Sequence, residues 1–307
     1  MNCIMNIKVK LIKYTYIIFL FFSITFNTGC EKKEYSINMP SISFFPQPEG
    51  GSRANLIDGA EDIYHFIVWG NYDGNVVFDG TRVSKEDSKW VYAPTKYWNT
   101  NATQYEFYAY TPHTGTATIT NNQLSVSGID LKNNPVDLVM AYTRITNKNF
   151  RKVVELNFKH ALAIVKFSFK LKEGFSYFNT YRVTSIKWKN VHTQGQFAIN
   201  RNDSITSHPL GSLGETITIT TFKGDKISTS SAMVSDNLLV IPQSTTMAQL
   251  TFSLEINEKT EIINKTIPVV WEPGAQYMYN VIIDPYEVTV ETTPWEVIDI
   301  DNDLIIN

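Results

Sequence analysis

The sequence predicts an all-β protein made of two β-sandwiches in tandem. Runs of alternating apolar and polar residues recur about every 8–15 residues, separated by Gly, Pro, Asn and Asp. Aromatic residues make up 13% of the 307 residues and are mostly Tyr and Phe, which strands favour. No long run with a helical period of 3.6 residues follows residue 30. About fourteen or more strand-like runs are too many for one sandwich and fit two.

The first thirty residues differ from the rest and predict a cleaved leader. Three lysines precede an apolar run, Tyr14–Phe26, whose roughly thirteen residues suit a signal peptide and are too few to span a bilayer. The following Asn27–Cys30 resembles a bacterial lipobox, in which the cysteine thiol carries lipid, palmitate included, and becomes the first mature residue. The alternative is an ordinary secretory signal with an incidental cysteine. We therefore expect a signal peptide over residues 1–29 and a lipidated tether over 30–34.

Cysteine count and charge exclude two classes of protein. Cys3 leaves with the leader and Cys30 carries lipid, so no disulfide framework is expected. Removing residues 1–29 takes away three lysines and no acidic residue, which changes the formal charge from −3 to −6. An acidic chain without a basic cluster argues against nucleic acid as a partner.

The strand-like runs continue along the whole mature chain. The first is Tyr35–Phe45; later ones are Ile63–Trp69, which Gly70 is expected to end, Trp90–Tyr92, Tyr105–Tyr110, Ile217–Ile219, Leu250–Ile256, Tyr277–Ile283 and Val288–Val290. The least strand-like stretch near the middle is the polar, basic Thr143–Lys152. We place the domain boundary there, with one sandwich over residues 35–150 and the other over 151–307.

A change of parity marks the start of the second half. Apolar residues fall on even numbers over Val154–Phe158 and on odd numbers over Val165–Leu171. A strand with one buried face cannot change parity unless the chain bulges, bends or crosses to another sheet. We expect such a crossing at residues 159–163, with His160 as a buried hydrogen-bonding residue. The alternative is a catalytic or ligand-binding histidine.

Searches for reactive motifs give no catalytic residue, metal site or cofactor. The sequence has no GxSxG, HExxH, CxxC or phosphate-binding glycine loop, and its five histidines are scattered. Asp299, Asp301 and Asp303 lack the later Glu of a calcium loop and are expected to form a solvated edge. Most of the six tryptophans are expected in cores, with stacking of an exposed pair on sugar as the alternative. The sequence therefore predicts no enzyme; the alternative is a hydrolase whose paired carboxylates are far apart in sequence.

With these segments in order, the chain resembles the fimbrillin-like lipoproteins of Bacteroidetes, which include major and minor fimbrial subunits and their anchors. The matching segments are FIVWG (66–70), VVFDGTRV (76–83), KWVYAPTKYW (89–98), YEFYAYTP (105–112), PVDLVMAY (135–142), VELNFKHALAIVKFSF (154–169), LLVIPQS (238–244) and VVWEPGAQYMYNVII (269–283). The resemblance implies two transthyretin-like β-sandwiches, the second of which opens at the F-x-H-A segment.

The resemblance also implies a function. Polymerising members are cut by an Arg-specific protease after the first strand, and a neighbouring subunit inserts a strand into the groove left open. Here the first strand would be residues 35–45, and the cut would fall between Arg53 and Ala54 in the loop PQPEGGSRAN. The alternative for Arg53 is an ordinary surface arginine. The C-terminal Val297–Asn307 could be a donor strand or an edge strand of its own domain.

We therefore expect a fimbrial subunit or accessory component, held at the cell outer membrane by lipid on Cys30 and exposed in the fimbrium. Its partners would be other fimbrial subunits and a host or bacterial surface ligand. The alternative is an outer-membrane lipoprotein that binds glycan or host protein and does not polymerise.

Overall fold

The computed structural model describes residues 40–49, 61–112, 114–146, 149–173, 179–213, 215–219, 227–229, 233–284 and 288–294. These residues form strands and no α-helix, which confirms the all-β class. The strands are β1 (Phe44–Pro48), β2 (His65–Tyr72), β3 (Asn75–Glu86), β4 (Lys89–Val91), β5 (Gln104–Thr111), β6 (Thr116–Thr120), β7 (Gln123–Asp130), β8 (Val139–Thr146), β9 (Val154–His160), β10 (Ala163–Leu171), β11 (Tyr181–Val191), β12 (Gln194–Asn200), β13 (Ile205–Leu210), β14 (Glu215–Ile219), β15 (Met233–Val234), β16 (Leu238–Val240), β17 (Ser244–Thr245), β18 (Gln249–Ile256), β19 (Lys259–Thr266), β20 (Val269–Val270), β21 (Gln276–Ile283) and β22 (Val288–Pro294).

A seven-stranded sheet with the order β1-β9-β8-β5-β2-β3-β4 organises the first half. All its neighbouring strands are antiparallel except β1 and β9, which are parallel. Its middle strand β5 (QYEFYAYT) is buried on both faces. A strand covered on both faces must be nearly continuous in apolar and aromatic residues, and this sequence is.

The two faces of this sheet contact different cores. The first core is aromatic and includes Phe44, Phe66, Phe78, Trp98, Tyr105, Phe107 and Phe158. On the opposite face, Tyr108, Tyr110 and Met140 pack against a smaller sheet with the order β13-β12-β7-β6. The two sheets and the core between them form a sandwich.

The second half forms its own sandwich. One sheet has the order β15-β10-β21-β22, with β16 also paired to β10, and the other has the order β14-β11-β18-β19. Between them lies a second core, which includes Phe167, Phe169, Trp188, Phe252, Trp271 and Tyr279. Of the tryptophans, Trp98, Trp188 and Trp271 are buried as expected, while Trp69 and Trp90 are half-buried.

The parity change predicted from the sequence is a crossing between sheets. β9 ends at His160 in the seven-stranded sheet, and β10 begins at Ala163 in the second sandwich. Leu162 at the crossing accepts a hydrogen bond from Gly274 (3.1 Å). His160 is buried, with Nδ1 2.8 Å from Asp137 Oδ2, as the hinge interpretation expects.

The sheets cross the expected domain boundary at residue 150 in two places. β9 pairs with β1 and β8 of the first half. β12, from the second half, pairs with β7 along Gln123–Asp130. The boundary itself stays a prediction, but strands from both sides of it share sheets.

Gly70 does not end its strand, contrary to the expectation from sequence. β2 continues to Tyr72, with changes of register on both sides of Gly70. A Cβ at this position would lie 2.8 Å from the ring of Phe107 and 3.0 Å from that of Phe78. The glycine therefore serves close packing of aromatic rings rather than a turn.

Candidate functional site

The candidate site is β1 together with the groove that holds it. β1 lies at one end of the seven-stranded sheet and pairs in parallel with β9 from Phe44–Val154 to Pro48–Phe158. The ladder extends beyond the strand at both ends: Val154 N–H donates to the Ser43 carbonyl (2.8 Å) and Glu49 N–H to the Phe158 carbonyl (2.7 Å). Among the described residues, β9 alone thus provides the backbone pairing along the length of β1.

Side chains of β1 alternate between the first core and the surface. Ile42, Phe44, Pro46 and Pro48 are buried, while the residues between them are exposed. The ring of Phe44 makes edge contacts with Phe78 (5.3 Å between centroids), Phe107 (5.7 Å), Phe66 (5.8 Å) and Tyr92 (5.9 Å). Aromatic rings prefer such edge-to-face contacts, which add to the stabilisation from burial.

The segment just before β1 is held on its other side. Ile42 N–H donates to the Lys96 carbonyl (2.9 Å), and Trp98 N–H donates to the Pro40 carbonyl (3.1 Å). The Tyr92 hydroxyl donates to the Ile42 carbonyl (2.6 Å). Burial raises the pKa of Tyr92, so the hydroxyl keeps its proton and remains a donor.

Prolines shape the free edge of β1. Ser43 and Glu49 direct their pairing groups toward β9, whereas Ile42 directs its N–H away from it. In an extended strand, the backbone N–H and C=O groups of successive residues point to opposite sides. Pro46 and Pro48 therefore occupy positions whose N–H would also face away from β9. The two prolines therefore remove no hydrogen-bond donor from the parallel ladder with β9. The opposite edge of β1 lacks the two N–H donors that other residues would supply at these positions.

A charged cluster closes the far end of the strand. Lys159 Nζ lies 2.5 Å from Asp203 Oδ2 and 3.8 Å from Glu49 Oε1. Glu49 follows β1, Lys159 belongs to β9, and Asp203 lies in the turn between β12 and β13. The cluster thus links the end of β1 to the second half of the chain.

The residues predicted from sequence and those found in the structure overlap only in part. Cys30, Arg53, Ala54 and the C-terminal segment Val297–Asn307 lie outside the described residues. The predicted first strand, 35–45, ends too early, because Pro46–Pro48, assigned from sequence to the following loop, belong to β1. Its residues 35–39 lie outside the described residues. The alternation of apolar residues at positions 44, 46 and 48 could have indicated that the strand continues. From the sequence we end it at residue 45, because proline usually marks the end of a strand.

Two searches of the described residues bear on other functions. No helix among them is long and apolar enough to cross a membrane. Within the same ranges, no group of three or more His, Cys, Asp or Glu side chains could hold a metal ion.

Fold and groove together define an all-β sandwich protein whose first described strand is an edge strand that completes an aromatic core. A family model described as fimbrillin-like matches residues 58–295. Because this match covers more than half of the chain, the chain belongs to the fimbrillin-like family, which confirms the resemblance inferred from its motifs.

Solved structures with low sequence identity share the fold. A fimbrial protein from Bacteroides vulgatus has a TM-score of 0.59 at 15% identity, covering 83% of this chain and 98% of that one. A proposed cell adhesion protein from Bacteroides uniformis has a TM-score of 0.53 at 14% identity, covering 83% and 97%. Another from Bacteroides ovatus has 0.51 at 14%, covering 85% and 99%. No curated protein matches the sequence significantly.

Proposed function

We propose that this protein is a surface-anchored fimbrial subunit or accessory component that assembles by donor-strand exchange at β1 and mediates adhesion. The observation that carries the proposal is β1 itself, a short edge strand whose alternate side chains complete the first core. Membership of the fimbrillin-like family supports a structural role rather than a catalytic one.

Removing β1 would leave a groove of defined chemistry. The backbone of β9 would lose its parallel partner, and the rings around Phe44 would face water. Both changes are unfavourable, because an unpaired buried edge and exposed apolar surface cost free energy. A strand with apolar residues at alternate positions would restore the pairing and the core, which is the basis of β-strand addition.

The prolines favour replacement of β1 over addition beside it. An incoming strand at the free edge of β1 would find no N–H donor at Pro46 or Pro48. Proline on an edge strand is a common protection against unwanted pairing. Assembly through β9 after β1 has left is therefore better supported than extension of the intact sheet.

The remaining parts of the proposal rest on the sequence. Lipid on Cys30 would hold the chain at the cell outer membrane, and cleavage between Arg53 and Ala54 would release β1 with the lipid. The partners would be other fimbrial subunits and a surface ligand of a host or a bacterium.

The non-polymerising alternative, a glycan-binding lipoprotein, requires coplanar exposed tryptophans or tyrosines in a shallow groove. Every tryptophan within the described ranges is buried or half-buried. Among the described tyrosines, Tyr64 and Tyr97 are exposed, and their rings do not contact each other. Strand exchange therefore has the stronger structural support.

Limited digestion tests the proposal directly. The purified protein is treated with an Arg-specific protease and followed by intact mass, gel filtration and SDS gels. We expect one early cut after Arg53, loss of β1, and growth of SDS-resistant oligomers. Arg53→Lys is the matched control, because it keeps the charge and removes the cleavage site, and it should stay monomeric.

Two results would contradict the proposal. One is a protein that is cut after Arg53 and loses β1 yet remains monomeric. The other is oligomer formation by Arg53→Lys at the same rate as the wild type, which would show that release of β1 is unrelated to assembly.

A further inference from the structure

A cleft of about 560 Å³ opens beside the end of β1; we call it the strand-end cleft. It is lined by Glu49, Lys159, His160, Ser204, Ile205, Glu272, Pro273 and Gly274. These residues come from four places in the chain: the end of β1, the end of β9, the start of β13 and the turn before β21. The volume suits a small ligand or one long side chain.

The cleft carries uncompensated negative charge. Lys159, the one cationic side chain among the described lining residues apart from the histidine, is already paired with Asp203 at 2.5 Å. Glu272 is exposed, and its carboxylate makes no hydrogen bond or ion pair with the described residues. Glu49 reaches only the shared Lys159, at 3.8 Å. The described lining thus holds two carboxylates and one ammonium group, and Asp203 already neutralises that ammonium group.

His160 adds a second, independent feature. It is 5% exposed and lines the cleft, and its Nε2 has no hydrogen-bond partner among the described residues. Its Nδ1 is held by Asp137 Oδ2 at 2.8 Å. A carboxylate only accepts, so Nδ1 carries a proton, and Nε2 is an acceptor whenever the ring is neutral. A buried polar atom without a partner is a feature that a ligand can satisfy.

We infer that the strand-end cleft binds a primary ammonium group, either of a free polyamine or of a lysine side chain on another polypeptide. An ammonium group is a compact cation with three donors and no acceptor. It complements a cleft that presents two carboxylates, a serine hydroxyl and a histidine acceptor. The inference is independent of strand exchange, since it concerns the intact protein with β1 in place.

Other ligand classes fit the cleft less well. Within the described lining, an anion would meet Glu49 and Glu272 together with one lysine, which Asp203 already neutralises. A sugar would find no aromatic ring among the lining residues to stack on. Net charge and lining therefore both favour an organic cation.

Calorimetric titration of the intact protein at low salt tests the inference with two probes. The first is cadaverine; the second is a tripeptide with one lysine and both ends blocked, and its Nε-acetylated form serves as the uncharged comparison. We expect saturable binding to one site, weakened about tenfold by Glu272→Gln or Glu49→Gln and weakened further as salt screens the charges. Both changes are at exposed carboxylates, so the fold is retained.

Glu258→Gln is the matched control, since Glu258 is an exposed acid in a different cleft, lined by Thr180, Arg182, Glu255, Asn257 and itself. It should change the affinity less than twofold. Tighter binding of cadaverine than of the lysine peptide would identify free polyamines as the ligand, and tighter binding of the lysine peptide would identify lysine side chains. Absence of saturable binding by either probe, equal affinity of Glu272→Gln, or peptide binding that acetylation leaves unchanged would overturn the inference.

Discussion

At the residue scale, one buried carboxylate joins three parts of the first sandwich. Glu106 in β5 is 1% exposed and accepts hydrogen bonds from Tyr142 Oη (3.0 Å), Arg144 Nη2 (3.1 Å) and Arg201 Nη2 (2.5 Å). Burial raises the pKa of Glu106, but the hydrogen bonds from Arg201, Arg144 and Tyr142 outweigh it and leave the pKa below its ordinary value. The group is therefore ionised and connects β5, β8 and the turn after β12.

Glu106→Gln should destabilise the protein, because it removes the charge that two guanidinium groups share. Because both guanidinium groups are partly exposed, the loss should resemble that of hydrogen bonds to a charged group, about 1.5–3 kcal/mol of unfolding free energy. Urea unfolding at neutral pH measures this loss. Tyr142→Phe is the graded comparison: it removes one hydrogen bond and should cost about 1 kcal/mol.

The pH dependence of this loss has a definite sign. A carboxyl with a lowered pKa in the folded protein stabilises the fold above its ordinary pKa of about 4.5 and loses that contribution as the pH falls through the folded value. The difference in unfolding free energy between wild type and Glu106→Gln should thus be constant well above the ordinary pKa of about 4.5. It should shrink as the pH falls from there through the lowered pKa of the folded protein. A difference that grows on acidification would show that Glu106 is not ionised.

At the element scale, the two faces of β1 differ sharply. Phe44 contacts four aromatic rings of the first core, whereas its neighbour Phe45 is 49% exposed. The same strand thus presents identical side chains to core and solvent. The contribution of β1 side chains to the unfolding free energy should therefore come from the residues that face the first core.

Phe44→Ala should reduce unfolding free energy by about 3–5 kcal/mol, since it leaves a cavity in a close-packed core. Amide hydrogen exchange should show faster opening of the Glu49 N–H, which pairs with the Phe158 carbonyl. Phe45→Ala, on the same strand, should change stability by less than about 0.5 kcal/mol. Similar losses for both variants would mean that β1 is not seated in the core as described.

The sequence was informative wherever a local pattern determined the structure. The parity change around His160 correctly predicted a crossing, because period-2 alternation reports directly which face of a strand is buried. Pro46 and Pro48 were misassigned to a loop. A strand accepts proline only where the missing N–H would point away from the neighbouring strand, and the sequence alone does not show which side that is. Lys159 and Asp203 could not be paired from sequence, since their contact depends on the long-range packing of β9 against the turn after β12.

At the scale of the whole molecule, the two halves share structure rather than only abutting. β12 pairs with β7 from Gln194–Asp130 to Asn200–Gln123. Phe197 and Ile199 of β12 pack in the same core as residues of β5 and β8. Arg201 then bonds to Glu106 of β5. The described residues from Pro40 onward accordingly belong to one compact unit.

Phe197→Ala tests whether this sharing makes the halves unfold together. The ring is fully buried where strands of both halves meet, so its loss should cost about 3–5 kcal/mol. In a cooperative unit, the most protected amides report the global free energy wherever they lie. We therefore expect native-state hydrogen exchange of Phe197→Ala to show equal losses of opening free energy at the amides of Phe107 in β5 and Phe252 in β18. Thr206→Ala, an exposed control in β13, should change the opening free energy at neither amide. A loss confined to β5 would show that the second sandwich holds its stability independently, and that the shared sheet joins the halves without coupling their unfolding.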